Sequence, residues 1–267
     1  MEELAKIPQD EDKKEKIREI KKILEELVLE KDNLVYIVCE NIKTEYMLLF
    51  GSLEYRLYKA FCKYLRLRRK KEMIQAKKNR EEKVKIEEIE NILDEEFADY
   101  QRKLDEKIDE MNEAIERSKC EPLSEEEVVV LKKMYKNMVK KLHPDINPEV
   151  TEAQKELFYK ATDAYKDGDI TSLKIIYDIV SDEDTDEIPA LSYESLEDEI
   201  KRLEDLIEDI KYEINRIKSI PPYTWNIYLT DVNKRNERLR NLKRNLESFQ
   251  EGIRTYEEYI KELMKDE

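Results

Sequence analysis

The residues best able to take part in chemistry form one tripeptide, His143-Pro144-Asp145, which holds the only histidine of the 267-residue chain. An imidazole and a carboxylate can hydrogen-bond to a partner, and the proline between them stiffens the backbone. A metal site is not predicted, because no second ligand stands at helical spacing from the histidine. The sequence also shows no glycine-rich phosphate loop and no Ser-His-Asp set. We therefore predict a non-enzymatic protein without a cofactor, whose tripeptide contacts a partner.

A basic amphipathic segment leads directly into this tripeptide. No acidic residue occurs from Lys132 to Lys141. The apolar spacing predicts a helix with one buried face and most of its lysines outward. On a chain with a net charge of −15, such a positive surface would steer the protein toward an acidic patch on a partner. The predicted partner-binding lysines are Lys132, Lys133, Lys136, Lys140 and Lys141.

The segment from about Leu123 to Asp169 resembles the J domain, the module by which DnaJ-type co-chaperones act on DnaK-type chaperone ATPases. The resemblance rests on the tripeptide, on the basic helix before it, and on Phe158 ahead of the pair Ala164-Tyr165. It implies that the basic helix docks on the chaperone and that the His-Pro-Asp loop promotes ATP hydrolysis by that partner. It also implies a small helical core formed by Tyr135, Met138, Leu142, Phe158, Ala161 and Tyr165.

The first helix of that family, usually an aromatic pair followed by Leu-Gly-Val, has no counterpart in this sequence. Two explanations stay open at this point. Either the end of the preceding long helix, with Met111 and Ile115, forms the packing wall, or the module is degenerate. The Gly/Phe-rich region and the CxxCxGxG repeats of the larger co-chaperones are also missing.

Composition and periodicity predict an all-α, elongated protein. The chain is 43% charged and 40% hydrophobic and has only three glycines, which is typical of long helices and coiled coils. Two heptad stretches flank Pro221-Pro222 and indicate a helical hairpin or, as an alternative, a homodimer interface. The predicted domains are a bundle or hairpin of long helices at 1–120, a J-like module at 121–180, an acidic linker at 181–191 and an antiparallel coiled-coil hairpin at 192–267.

Local signals add detail to this arrangement. A straight helix is predicted over Arg80–Lys119, antiparallel to the segment at about 42–78. The run Leu34–Cys39 is interpreted as helix, although its β-branched residues would also suit a strand. Ser124 with Glu127 predicts a capping box, and Thr151 a second helix cap.

The leading functional hypothesis is a cytoplasmic co-chaperone whose coiled coils select a client. Three scattered cysteines form no CxxC pair, and no apolar run reaches membrane-spanning length. The main alternative is a scaffold protein with an inactive J-like module. Net acidity argues against membranes and nucleic acids, although the basic stretch Arg66–Lys85 keeps nucleic-acid contact as a third hypothesis.

Overall fold

The computed structural model describes residues 6–120, 122–181 and 196–265. Regular structure in these residues is helical, with no β-strand among them, so the predicted all-α class is confirmed. The chain divides into two compact units: Met1–Asn41 with Glu121–Thr224, and Ile42–Cys120 with Trp225–Glu267. The predicted domains 1–120 and 192–267 are therefore each divided between the units. None of the described helices is long and apolar enough to cross a lipid bilayer.

Eleven α-helices are described, and they are numbered here in chain order. Two π-helical segments, Asn33–Cys39 and Met47–Gly51, join the first three of them, so the run Leu34–Cys39 is helical rather than a strand. A 3-10 turn occupies Tyr223–Trp225. The helices are α1 (Lys6–Asp32), α2 (Glu40–Tyr46), α3 (Ser52–Asn79), α4 (Ile86–Glu96), α5 (Ala98–Lys119), α6 (Glu125–Leu142), α7 (Glu152–Asp167), α8 (Ile170–Ser181), α9 (Leu196–Ser219), α10 (Asn226–Thr230) and α11 (Val232–Leu263).

The first unit is held together by one apolar core shared by α1, α6, α7, α8 and α9. The ion pairs Lys16–Glu204, at 2.8 Å, and Lys31–Glu213, at 3.3 Å, show that α1 and α9 run parallel. Between these helices, apolar side chains at three- and four-residue spacing are removed from water. They include Ile17, Ile20, Leu24, Val28, Leu203, Ile207, Ile210 and Ile214.

The antiparallel coiled-coil hairpin predicted for 192–267 is wrong. In the structure α9 packs against α1 in the first unit, whereas α11 packs along α3 in the second. The heptad pattern correctly marks an apolar stripe on each helix, but a stripe does not by itself specify the helix that covers it. The acidic linker predicted at 181–191 lies, apart from Ser181, outside the described residues.

In the second unit, α3 forms an antiparallel hairpin with α4 and α5. Lys77 pairs with Glu88 at 3.2 Å, and the rings of Phe61 and Tyr100 lie 6.5 Å apart. The single straight helix predicted over Arg80–Lys119 is wrong. Helix α4 begins only at Ile86, and Phe97 leaves the helical conformation (φ −105°, ψ 7°) between α4 and α5. Neither proline nor glycine marks that break in the sequence.

Substitution of Leu24 by alanine tests whether α1 supports the first unit. Leu24 is 0% exposed in the shared core, so Leu24→Ala should lower the free energy of unfolding by about 2–5 kcal/mol. Urea denaturation monitored by circular dichroism measures the change. The matched control is Ile23→Ala, because Ile23 is 47% exposed and should change stability by no more than about 0.5 kcal/mol. Equal effects of the two substitutions would contradict the packing of α1.

Candidate functional site

The tripeptide lies at the tip of a hairpin formed by α6 and α7. The predicted capping box is present at the start of α6, where the Ser124 N–H donates to Glu127 at 2.8 Å and the Glu127 N–H donates to Ser124 at 3.2 Å. Thr151 caps α7 in the same way, with Gln154 as its partner. Both helix starts therefore follow from local residues.

Stacked aromatic rings hold the two helices of this hairpin side by side. The rings of Tyr135 and Tyr165 stack with their centroids 4.1 Å apart, and the rings of His143 and Phe158 form a T-shaped pair with centroids 5.1 Å apart. Because Tyr135 precedes His143 on one helix while Tyr165 follows Phe158 on the other, the helices are antiparallel. All the residues assigned to the small core are buried, with exposures of 0% for Tyr135, 0% for Met138, 2% for Leu142, 6% for Phe158, 0% for Ala161 and 0% for Tyr165.

Helix α1 forms the packing wall behind this hairpin. The Tyr135 hydroxyl donates to Asp32 at 2.7 Å and lies 3.2 Å from the Thr162 hydroxyl. Asp32 is only 7% exposed, and burial raises the pKa of its carboxyl, opposed by the hydrogen bond from Tyr135. A buried hydroxyl without such a partner would be costly. The aspartate therefore joins α1 to α6 through a specific polar contact.

The wall predicted from Met111 and Ile115 is wrong. Both residues belong to the second unit. Met111 packs against Gly51, since a Cβ atom added to this glycine would lie 3.2 Å from the Cγ atom of Met111. The Ile115 side chain is 40% exposed. Helices α1 and α8 pack on α6 instead. Helix α1 lies far earlier in the chain, where the sequence shows no similarity to the first helix of the J domain.

The loop backbone is ordered by hydrogen bonds on both sides of Pro144. His143 ends α6 in an extended conformation (ψ 121°), which the following proline requires. Its carbonyl accepts from the N–H groups of Ile146 and Asn147 at 3.1 and 2.8 Å. The Asn147 side chain donates to the Lys140 carbonyl at 2.7 Å. Ile146, 1% exposed, fixes the loop to the core.

The imidazole of His143 has a defined surrounding. Its Nδ1 accepts from the Asp145 N–H at 3.2 Å, so the proton of the neutral ring is on Nε2. Burial is the main cause of a lowered pKa of His143, and the charge of Lys31 lowers this pKa further. The Asp145 carboxylate acts in the opposite direction and raises it. The neutral ring can therefore offer an Nε2–H donor to a partner.

Four of the predicted lysines form one surface on α6. This lysine surface comprises Lys132, Lys133, Lys136 and Lys140, of which only Lys136 is partly buried. Val129, 65% exposed, lies one helical turn before Lys133 and adds an apolar side chain to it. Lys141, the fifth lysine predicted to bind a partner, does not belong to this surface. Its Nζ donates to the Val180 carbonyl of α8 at 3.0 Å.

Helix α1 places two carboxylates beside the lysine surface. Glu26 pairs with Lys136 at 3.6 Å. Burial raises the pKa of Glu25, and the charges of Lys140 and Lys136 lower it. These acids compensate the flank formed by Lys136 and Lys140, so the most open positive charges of the surface are at Lys132 and Lys133.

The other basic stretch, Arg66–Lys85, lies in the second unit and pairs with acids of α4. Arg66 contacts Asp94 at 2.7 Å, and Arg69 contacts Glu96 at 2.8 Å. Phosphate groups would have to compete with these internal pairs. The geometry therefore favours a structural role for the stretch over nucleic-acid binding.

Residues that contact the hairpin but were not identified from the sequence include Glu26, Asp32 and Arg202. The Asp32–Tyr135 contact joins residues 103 positions apart, and Arg202 contacts Asp145 from 57 positions away. No local pattern carries information about contacts of this range. In the described part of the chain, the hairpin included, no group of three or more His, Cys, Asp and Glu residues could hold a metal ion.

Comparisons of the chain with protein-family models, with curated proteins and with solved structures found no match. The functional argument therefore rests on the residues and geometry of the hairpin itself.

The lowered pKa of His143 predicts a pH-dependent stability. The pKa of histidine in an unfolded chain is about 6.5. At pH values between the lower folded-state pKa of His143 and this unfolded-state pKa, the unfolded chain binds more protons than the folded chain. The contribution of His143 to the free energy of unfolding is thus complete above about pH 6.5 and is lost as the pH falls through the folded-state pKa. An NMR titration of the only imidazole gives the folded value, and urea denaturation at stepped pH gives the slope. His143→Gln should reduce that slope, and an imidazole that titrates above its unfolded value would contradict the prediction.

Proposed function

We propose that this protein is a co-chaperone that docks on a DnaK-type chaperone ATPase and stimulates its ATP hydrolysis. One observation carries the proposal: His143-Pro144-Asp145 forms an ordered loop at the tip of the α6–α7 hairpin, next to the lysine surface. The resemblance to the J domain supplies the class of partner and the reaction. The remaining helices would select a client or a cellular location, which we place in the cytoplasm.

Each part of the site has a separate role in this proposal. The lysine surface attracts an acidic patch on the chaperone and raises the association rate. Pro144 and the turn hydrogen bonds limit the freedom that the loop loses on docking. His143 and Asp145 then supply polar contacts. No bond is made or broken by this protein, because the hydrolysis takes place in the nucleotide site of the partner.

Replacement of the histidine tests the loop directly. In single-turnover ATP hydrolysis by a DnaK-type chaperone, the wild-type protein should raise the rate, and His143→Gln should return it to the unstimulated value. Lys160→Gln, on the outer side of α7, is the control and should stimulate like the wild type. Equal rates with the wild type, with His143→Gln and without the protein would refute the co-chaperone proposal and favour a scaffold with an inactive module.

Neutralisation of the lysine surface tests the docking step. The double variant Lys133→Gln/Lys140→Gln should bind the chaperone with an association rate roughly tenfold lower at low salt, because electrostatic steering is reduced. Surface plasmon resonance at several salt concentrations measures this rate and its salt dependence. The double variant Lys160→Gln/Lys174→Gln removes the same charge from exposed positions of α7 and α8 and should bind like the wild type. If the association rate falls by the same factor in both double variants, net charge rather than the lysine surface controls docking.

A further inference from the structure

A charged residue of α9 reaches the His-Pro-Asp loop. The Nη1 of Arg202 donates to the backbone carbonyl of Asp145 at 2.9 Å. This carbonyl belongs to a residue within the turn between His143 and Asn147. Because α9 lies outside the segment that resembles a J domain, the contact connects the loop to a part of the chain with no assigned role.

Arg202 is itself held in place by a buried carboxylate. Glu199, three residues earlier on α9, has a side chain that is 0% exposed. It accepts from Nε of Arg202 at 2.8 Å and from Nη2 at 3.0 Å. Since the guanidinium group is planar and its donors are fixed in direction, this two-point pairing determines where Nη1 points. A buried carboxylate is costly without such a partner, so the pair is retained in the folded state.

The contact orders the loop backbone and leaves the presented side chains accessible. The Asp145 residue is exposed, and His143 and Pro144 are partly exposed. A hydrogen bond to the backbone at this point raises the fraction of docked molecules in which His143 and Asp145 are in the productive arrangement, and this fraction sets the maximal stimulation. We infer that Arg202, oriented by Glu199, is a positioning residue that holds the His-Pro-Asp loop in the conformation that a DnaK-type partner recognises. This inference rests on the proposed co-chaperone function.

The first test separates positioning from a general loss of stability. In a titration of the chaperone ATPase, Arg202→Ala should lower the maximal stimulation by about two- to tenfold, the factor that one net hydrogen bond supplies. The concentration for half-maximal stimulation should stay unchanged, because the lysine surface is intact. A variant that is merely less folded would instead shift that concentration and keep the maximum. Arg202→Lys keeps the charge without the planar fork, and its maximum should fall between those of the wild type and Arg202→Ala.

The second test needs no chaperone. Hydrogen exchange of the Ile146 and Asn147 amides, measured by NMR, should become about two- to tenfold faster in Arg202→Ala. Lys211→Ala, which removes an ordinary ion pair with Glu208 on the same helix, should leave both the exchange and the stimulation unchanged. If Arg202→Ala does not fold, the same measurements on Arg202→Lys decide the matter.

The outcomes distinguish the two proposals. A wild-type protein that fails to stimulate the ATPase overturns the co-chaperone function, whereas the exchange rates test the loop contact independently. Unchanged exchange, or a higher maximal stimulation, in the Arg202 variants would overturn the positioning role.

Discussion

Burial of the apolar side of the α6–α7 hairpin is the constraint on which the first unit depends. Helices of 18 and 16 residues are only marginally stable alone in water, and most of their stability in a protein comes from packing. Helices α1 and α8 cover this side of the hairpin, and α9 packs against α1. Because α1 packs here, Asp32 accepts a hydrogen bond from the buried Tyr135 hydroxyl. Without a partner, this hydroxyl would reduce the stability of the fold. The geometry of the loop is therefore a property of the whole unit and not of the hairpin alone.

Charge is distributed so that the lysine surface of α6 stays partly open on an acidic chain. In the second unit, Arg66 and Arg69 are compensated by carboxylates of α4. In the first unit, Glu25 and Glu26 compensate the flank formed by Lys136 and Lys140. Lys132 and Lys133 remain exposed on the other flank. An uncompensated surface next to an ordered loop offers both attraction at a distance and specific contacts at close range. In the stretch Arg66–Lys85, by contrast, the arginines Arg66 and Arg69 are already paired with carboxylates of α4.

Contacts from several parts of the chain converge on the loop. The end of α6 and Pro144 set its direction, Phe158 of α7 meets the imidazole, Ile146 is buried in the core, and Arg202 of α9 holds the Asp145 carbonyl. Each of these restraints removes conformations from the loop, so that one arrangement of His143 and Asp145 is preferred. Of these restraints, only the end of α6 at Pro144 can be predicted from the residues next to the tripeptide.

Residues close together in the sequence determined the helices around the site, the caps at Ser124 and Thr151, and the place of the tripeptide at a helix end, since capping and the effect of proline act over a few residues. Only the tertiary structure decided that α9 pairs with α1 and α11 with α3, that a break occurs at Phe97, and that Asp32 and Arg202 contact the hairpin. The physical reason is that an apolar stripe gains nearly the same free energy against any complementary stripe, because the hydrophobic effect is not directional. The choice of partner therefore depends on the burial of the whole chain, which no local pattern contains.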